Sequence, residues 1–182
     1  MGFAISWLAV KADRREEALA HCGLRATGVR EALPESDFCG VDLPSGWFLV
    51  FINSADSALH SVASLGQLSA GGEVFSCQIE EHVMVSVANC WRNGSLAWSA
   101  VHDAERGLLD LQETGTLPAN FPSIRARALA QQEADADGEV DYMFEVPVEL
   151  AQAAVGFRYD QKIKGSGDEP FEVLSPASRK GG

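Results

Sequence analysis

Gly46-Trp47-Phe48-Leu49-Val50-Phe51-Ile52-Asn53 is an unbroken apolar run held between a glycine and an asparagine. A strand of this kind has no polar side to offer water, so it must be covered on both faces. We expect it at the centre of a sheet. Phe3 to Val10 reads as a second buried strand. Between them, Asp13-x-x-Glu16 has the form of a capping box, with Glu16 and Glu17 in a first turn, His21 in a last turn and Gly23 just beyond. Ala18, Leu19 and Cys22 form the buried stripe of that short helix. Ser54 and Asp56 offer caps for a second helix running to about Leu68, ended by Gly71-Gly72. Residues 24–45 read as a connecting segment in which 38–42 is the one candidate strand.

A meander follows. Val74–Glu80 and His82–Trp91 are expected strands, and Asn93-Gly94 is a strong short-range signal for a two-residue hairpin turn. An unbroken ladder from that turn pairs Trp91 with Leu96 and Asn89 with Trp98. One face then carries Val83, Val85, Val87, Trp91, Leu96 and Trp98 as core. The other carries Ser86, Ala88, Cys90 and further small side chains, suited to close coverage by a helix or a partner. Beyond an irregular stretch at 103–122, a helix is expected from Ser123 to about Ala134. A strand follows at Tyr142–Val146, and a last helix opens at Pro147 and stops at Gly156. The fold class implied is α+β: one domain over residues 1–160, a mainly antiparallel sheet of five to six strands and helices packed on one face. Residues 161–182, rich in Gly, Ser, Pro and charge, read as a mobile tail in which only Phe171–Leu174 could dock.

Charge is the second informative feature. The chain carries 14 Lys and Arg against 26 Asp and Glu, a net charge of −12. No lysine or arginine occurs between Arg30 and Arg92, while Glu31, Glu35, Asp37, Asp42, Asp56, Glu73, Glu80 and Glu81 lie there. A negative field repels nucleic-acid phosphates and anionic membranes and draws in basic proteins or cations. The N-terminal stretch lacks the basic region of a secretory signal, and no apolar run approaches the ~20 residues that span a bilayer. Cys22, Cys39, Cys77 and Cys90 show no metal-binding or disulfide spacing, and read as reduced cytoplasmic thiols.

Chemical signatures are sparse. Glu133-Ala134-Asp135-Ala136-Asp137-Gly138-Glu139-Val140-Asp141 resembles an EF-hand loop, with acids at alternate positions and glycine at the sixth. Glu takes the first position, Phe144 falls at the twelfth, and Glu145 arrives one residue late for bidentate ligation. An acidic turn with weak or no calcium binding is therefore expected. For an enzyme, the candidate residues are Glu80, Glu81, His82 and His102 as acids, bases or nucleophile activators. In the unbroken hairpin Cys90 and His102 project to opposite faces, so they form no dyad. No phosphate-binding, dinucleotide-binding or nucleophile-elbow motif is present, and no cofactor is expected.

Phe3 to about Glu113, with Gly46–Val50, Glu80-Glu81-His82-Val83-Met84 and the Trp91…Trp98 hairpin, resembles small bacterial cytosolic proteins to which no activity is assigned. Val155-Gly156-Phe157-Arg158 and Pro170–Leu174 are similar too. The resemblance implies a bacterial cytosolic setting and carries no site residues.

The expectation is a protein-binding module, immunity- or antitoxin-like, that holds a basic partner protein through Glu31, Glu35, Asp37, Asp42, Glu73, Glu80 and Glu81. A small hydrolase or transferase and an accessory structural subunit are the alternatives. The closing Gly181-Gly182 resembles the end of ubiquitin-like modifiers, but the strand-helix-strand opening departs from the hairpin with which that fold begins.

Overall fold

The computed structural model describes residues 2–135, 138 and 140–177. The apolar run forms β4 (Trp47–Ile52), and every one of its residues is buried. It pairs antiparallel with β1 (Ala4–Lys11) on one side and β3 (Phe38–Asp42) on the other. Beyond β1 the sheet continues through β5 (Glu73–Glu80), β6 (Val85–Arg92), β7 (Ser95–Asp103) and β8 (Gln112–Gly115). Beyond β3 lie β9 (Phe171–Pro176) and then β2 (Leu24–Glu31). The spatial order is β2-β9-β3-β4-β1-β5-β6-β7-β8, with every neighbouring pair antiparallel. The five- to six-stranded expectation is therefore corrected to nine strands among the described residues, and β1 rather than β4 holds the central place.

The additional strands come from stretches whose side chains carry no alternating pattern. In β2 only Leu24 is buried, and β8 is exposed throughout. Both are edge strands, recruited by backbone hydrogen bonds rather than by a buried face. β9 lies inside the stretch set apart as a tail, yet it is seated between β2 and β3, with Phe171 and Leu174 buried.

Helices cover both faces, which corrects the one-face expectation. α1 (Arg15–Cys22) and α2 (Val62–Ser69) bring Ala18, Leu19, Leu65 and Leu68 onto Leu8, Val10, Phe48, Val50 and Ile52. α3 (Phe121–Ala134) and α4 (Glu145–Val155) bring Ile124, Val148 and Leu150 to the side formed by Ile5, Trp7, Leu49 and Phe51. The strict alternation of β1 and β4 between these two cores is the period-2 geometry of a strand read on both sides. Helix boundaries differ from expectation in local ways. The capping box at Asp13 is not formed; residues 12–14 make a 3-10 turn and no side chain caps α1. Ser61, not Ser54 or Asp56, caps α2 by accepting from the Ser64 N–H. The expected strand at 142–146 is instead the entry to α4, while Gly23 and Gly156 end their helices in the left-handed conformation.

The hairpin turn is as expected: Asn93 and Gly94 sit at φ 51° and 79°, and Arg92 faces Ser95. The ladder behind it is not. A bulge lets Trp91 face Leu96 but sets Cys90, not Asn89, opposite Trp98. That extra residue turns Trp98 to the α4 side, 6.1 Å from Phe75, while Trp91 stays on the α2 side. Of the expected core face, Trp91 is buried against α2, but Val83 is 45% and Leu96 38% exposed. Ser86, Ala88 and Cys90 lie buried on the side that carries α4, as their small size suggested. Gly115 fits against the bulge because any Cβ there would collide with the Ala97 carbonyl.

Trp98→Ala should lower the unfolding free energy by about 3–5 kcal/mol in urea titration. Leu96→Ser should change it by no more than about 0.5 kcal/mol. Equal losses at the two positions would restore the unbulged register.

Candidate functional site

Because neighbouring strands are antiparallel, the connecting loops collect at two opposite ends of the sheet. At one end the segment leading into β3, the β4–α2 connection, the β5–β6 turn and the segment after β7 lie side by side. Asn53 donates its N–H to Asp37 O and its side-chain amide to Glu35 O. Gln78 donates to Ala55 O, and Ala104 donates to Met84 O. These loops carry Glu35, Asp37, Asp56, Glu80, Glu81, Asp103, Glu105 and Asp110, and within 32–37, 53–57, 81–84 and 103–111 the one lysine or arginine is Arg106. That guanidinium is turned to Asp103 at 3.4 Å. Phe3 (47%), Val83 (45%), Leu108 (43%) and Leu109 (59%) are exposed on the same end.

The expected binding acids do not gather as one patch. Glu35 and Asp37 are exposed at this end. Glu80 is also here, with Oε1 2.6 Å from His82 Nδ1. Glu81 is committed internally: its carboxylate accepts from the Tyr159 hydroxyl at 2.5 Å and from the Phe3 N–H at 2.8 Å, holding the N-terminal segment to the end of α4 and its exit. Asp42 and Glu73 stand at the opposite end of the sheet, neutralised by Arg15 and Arg92. Glu31 is turned into its own loop, where it accepts from Ser36, from the Glu35 and Ser36 N–H groups and from the Cys39 thiol. Burial opposes its charge, and these donors outweigh burial and hold its pKa below the ordinary carboxylate range.

The enzyme candidates do not converge either. Glu80 and His82 form a surface pair, and Glu81 is occupied. His102 is fully buried on β7, with Nδ1 2.6 Å from Asp110 O and Nε2 2.8 Å from Asp141 Oδ2. Both ring nitrogens are taken, so neither is available to a substrate. The bulge brings Cys90 and His102 to one face, contrary to expectation, but Cys90 faces Trp98 whereas His102 faces Ser86, four residues further along β6. That offset is about 13 Å of strand. Burial pushes the thiols of Cys22, Cys39, Cys77 and Cys90 up to about 12, which leaves them protonated and poor nucleophiles.

In the acidic 133–141 loop, Asp137 and Glu139 lie outside the described residues, as do Gly181 and Gly182. Asp135 caps the Val140 N–H, and Asp141 is divided between His102 and the Phe144 N–H. Among the described residues no three His, Cys, Asp or Glu side chains gather as a metal would require, and no helix is long and apolar enough to cross a membrane. The arginines near the start of α3, placed against the helix dipole, are explained by partners elsewhere: Arg125 pairs with Glu113 and Arg127 with Glu149. The His102–Asp110–Asp141 bridge escaped sequence reading because Asp141 is distant in the chain and Asp110 takes part through its backbone carbonyl, which leaves no mark on residue type. A histidine at the end of an apolar strand was its only trace.

Two clefts lie away from the acidic end. One of about 370 Å³ is lined by Phe75, Trp98, Pro118 and Leu150 with Arg92 among its polar groups; another of about 260 Å³ includes Arg158, Lys162 and Lys164. The second borders Gly156, which ends α4, where cations complement the helix C-terminus.

Burial, followed by the hydrogen bond to Glu81, raises the Tyr159 pKa well above the ordinary phenol range. An ultraviolet pH titration should therefore leave Tyr159 un-ionised until the chain unfolds. Tyr159→Phe should remove that late step and cost about 1 kcal/mol of stability at neutral pH. No protein-family model, curated protein or solved structure matches the chain.

Proposed function

We propose that the chain is an acidic protein-binding module that holds a basic partner protein at the loop end between β3 and β7, in the manner of an immunity- or antitoxin-like inhibitor. The observation that carries this reading is the juxtaposition at that end: exposed Glu35, Asp37, Asp56 and Glu105 beside exposed Phe3, Val83, Leu108 and Leu109. Apolar side chains supply the desolvated centre of an interface, and surrounding carboxylates steer a basic partner and reject an acidic one. The contact set is thereby narrowed from the sequence expectation. Glu35, Asp37 and Glu80 stay in it, while Glu31, Asp42, Glu73 and Glu81 serve internal contacts. A cytoplasmic setting belongs to the same proposal and rests on the buried, unpaired thiols.

The test is capture from a lysate followed by kinetics with the isolated basic partner. Reversal of Glu35, Asp37 and Glu105 to lysine should slow association about tenfold at low salt, with dissociation changed far less. Raising ionic strength to ~0.15 M, where screening shortens to about 8 Å, should erase most of that difference. Leu109→Asp should instead speed dissociation. A partner whose binding ignores all four changes would place the interface elsewhere.

A further inference from the structure

The loop that presents Leu108 and Leu109 runs from β7 to β8, and within it Asp110 is bound to one buried ring of β7. His102 stands on β7 with no exposed surface, and its two nitrogens face two acceptors: the Asp110 carbonyl and the Asp141 carboxylate. A carbonyl oxygen only accepts, and an ionised carboxylate only accepts. With Asp141 as carboxylate, both ring nitrogens carry hydrogen and the buried ring is an imidazolium. Asp110 follows directly on Leu108-Leu109, and within this loop its N–H donates to Gly107 O. Asp141 is fixed from the other side, since its Oδ1 accepts the Phe144 N–H at the entry to α4.

The charged groups facing the ring are Asp141 and Asp110. From β6 the residue opposite is uncharged Ser86, whose hydroxyl donates to Phe144 O. On α4 the nearest acid in sequence, Glu145, is paired with Arg158. Burial disfavours the imidazolium, but the hydrogen bonds to Asp141 and Asp110 O outweigh it and raise the His102 pKa above its ordinary value. The stabilisation from these bonds is thus complete below the unfolded pKa of about 6.5 and is lost as pH rises through the higher folded value.

We infer that protonated His102 is a pH-controlled staple for the Leu108–Leu109 loop, so that the proposed binding end is assembled while the ring is protonated and loosened as the ring deprotonates. The inference rests on the binding reading above for its consequence, not for its chemistry. When the ring loses one proton to solvent, the proton that stays is the one shared with the carboxylate, the stronger charge-assisted bond. Nδ1 then turns a lone pair on the Asp110 carbonyl. The bond to the 108–111 loop breaks, and the bond to Asp141 persists.

Amide hydrogen exchange from about pH 6 to about pH 9, corrected for base-catalysed intrinsic rates, reads this directly alongside the ring nitrogen signals of His102. The 108–111 segment should lose about tenfold protection as the ring deprotonates, and 141–144 should keep its protection. Asp141→Asn should abolish the transition. Its amide can donate to Nε2, so a neutral ring keeps the Nδ1 hydrogen on Asp110 O at every pH. Should that variant fail to fold, the wild-type measurement still decides.

Protection at 108–111 that is unchanged across deprotonation, or lost at 141–144 instead, overturns the staple. A lysine–leucine peptide at fixed ionic strength is the binding probe, and its affinity should fall in wild type with the exchange midpoint. Equal affinity on both sides of an observed exchange transition overturns the coupling. No binding at any pH, with the exchange transition intact, overturns the proposed function and leaves the staple standing.

Discussion

Six consecutive residues of β1, Ile5 to Val10, are buried, and the sheet is organised around keeping water from both sides of that strand. Trp7 meets Phe157 edge to face at 6.0 Å on the α4 side, while Leu8 and Val10 join the cluster of Leu19, Leu65 and Leu68 on the other. Each large apolar side chain removed from water contributes about 1.5–3 kcal/mol, so a one-sided cover would forfeit about half of what the central strands gain. Two helical layers follow from that. Ser6 is the polar exception in this stretch, and its hydroxyl donates to Ser54 O at 2.7 Å, which satisfies it at the strand's end.

The parts of the fold that could be read from sequence are those where side-chain burial itself makes the pattern. β1, β4, β5, α1, α2 and α4 are all of this kind. β2 and β8 are held through backbone pairing, and a backbone hydrogen bond leaves no mark on residue type; β9 adds buried Phe171 and Leu174, the pair that marked it as able to dock. The bulge in β7 is the sharpest case. Leu96-Ala97-Trp98 is compatible with either register until the need to place Trp98 beside Phe75 under α4 decides it. A slip of one residue inverts a strand's faces, so a local ambiguity misassigned β7 from Trp98 onward, while Trp91 and the small residues of β6 lie buried as expected.

The candidate site was legible in its charge but not in its placement. A run of sequence without lysine or arginine became two separate ends, because antiparallel strands send successive loops in opposite directions. The basic residues absent from the run return through space: Arg15 from α1 reaches both Asp42 and Glu172, and Arg92 reaches Glu73. What survives as a field is the end to which the topology delivers few cations. Exposed pairs of this kind contribute little stability, so the redistribution bears on recognition far more than on folding.

β9 also sets an order of events during synthesis. Leu24 pairs with Pro176 and Glu31 with Phe171, so two strands from the start of the chain are joined only through one near its end. A ribosome adding roughly 5–20 residues per second leaves the exposed flank of β3 open for several seconds before β9 emerges. During that interval the nascent chain presents an unfilled strand position bordered by Cys39 and Val41. A stray strand from another chain fits the same gap, which makes the growing polypeptide, rather than the finished molecule, the species most exposed to mispairing.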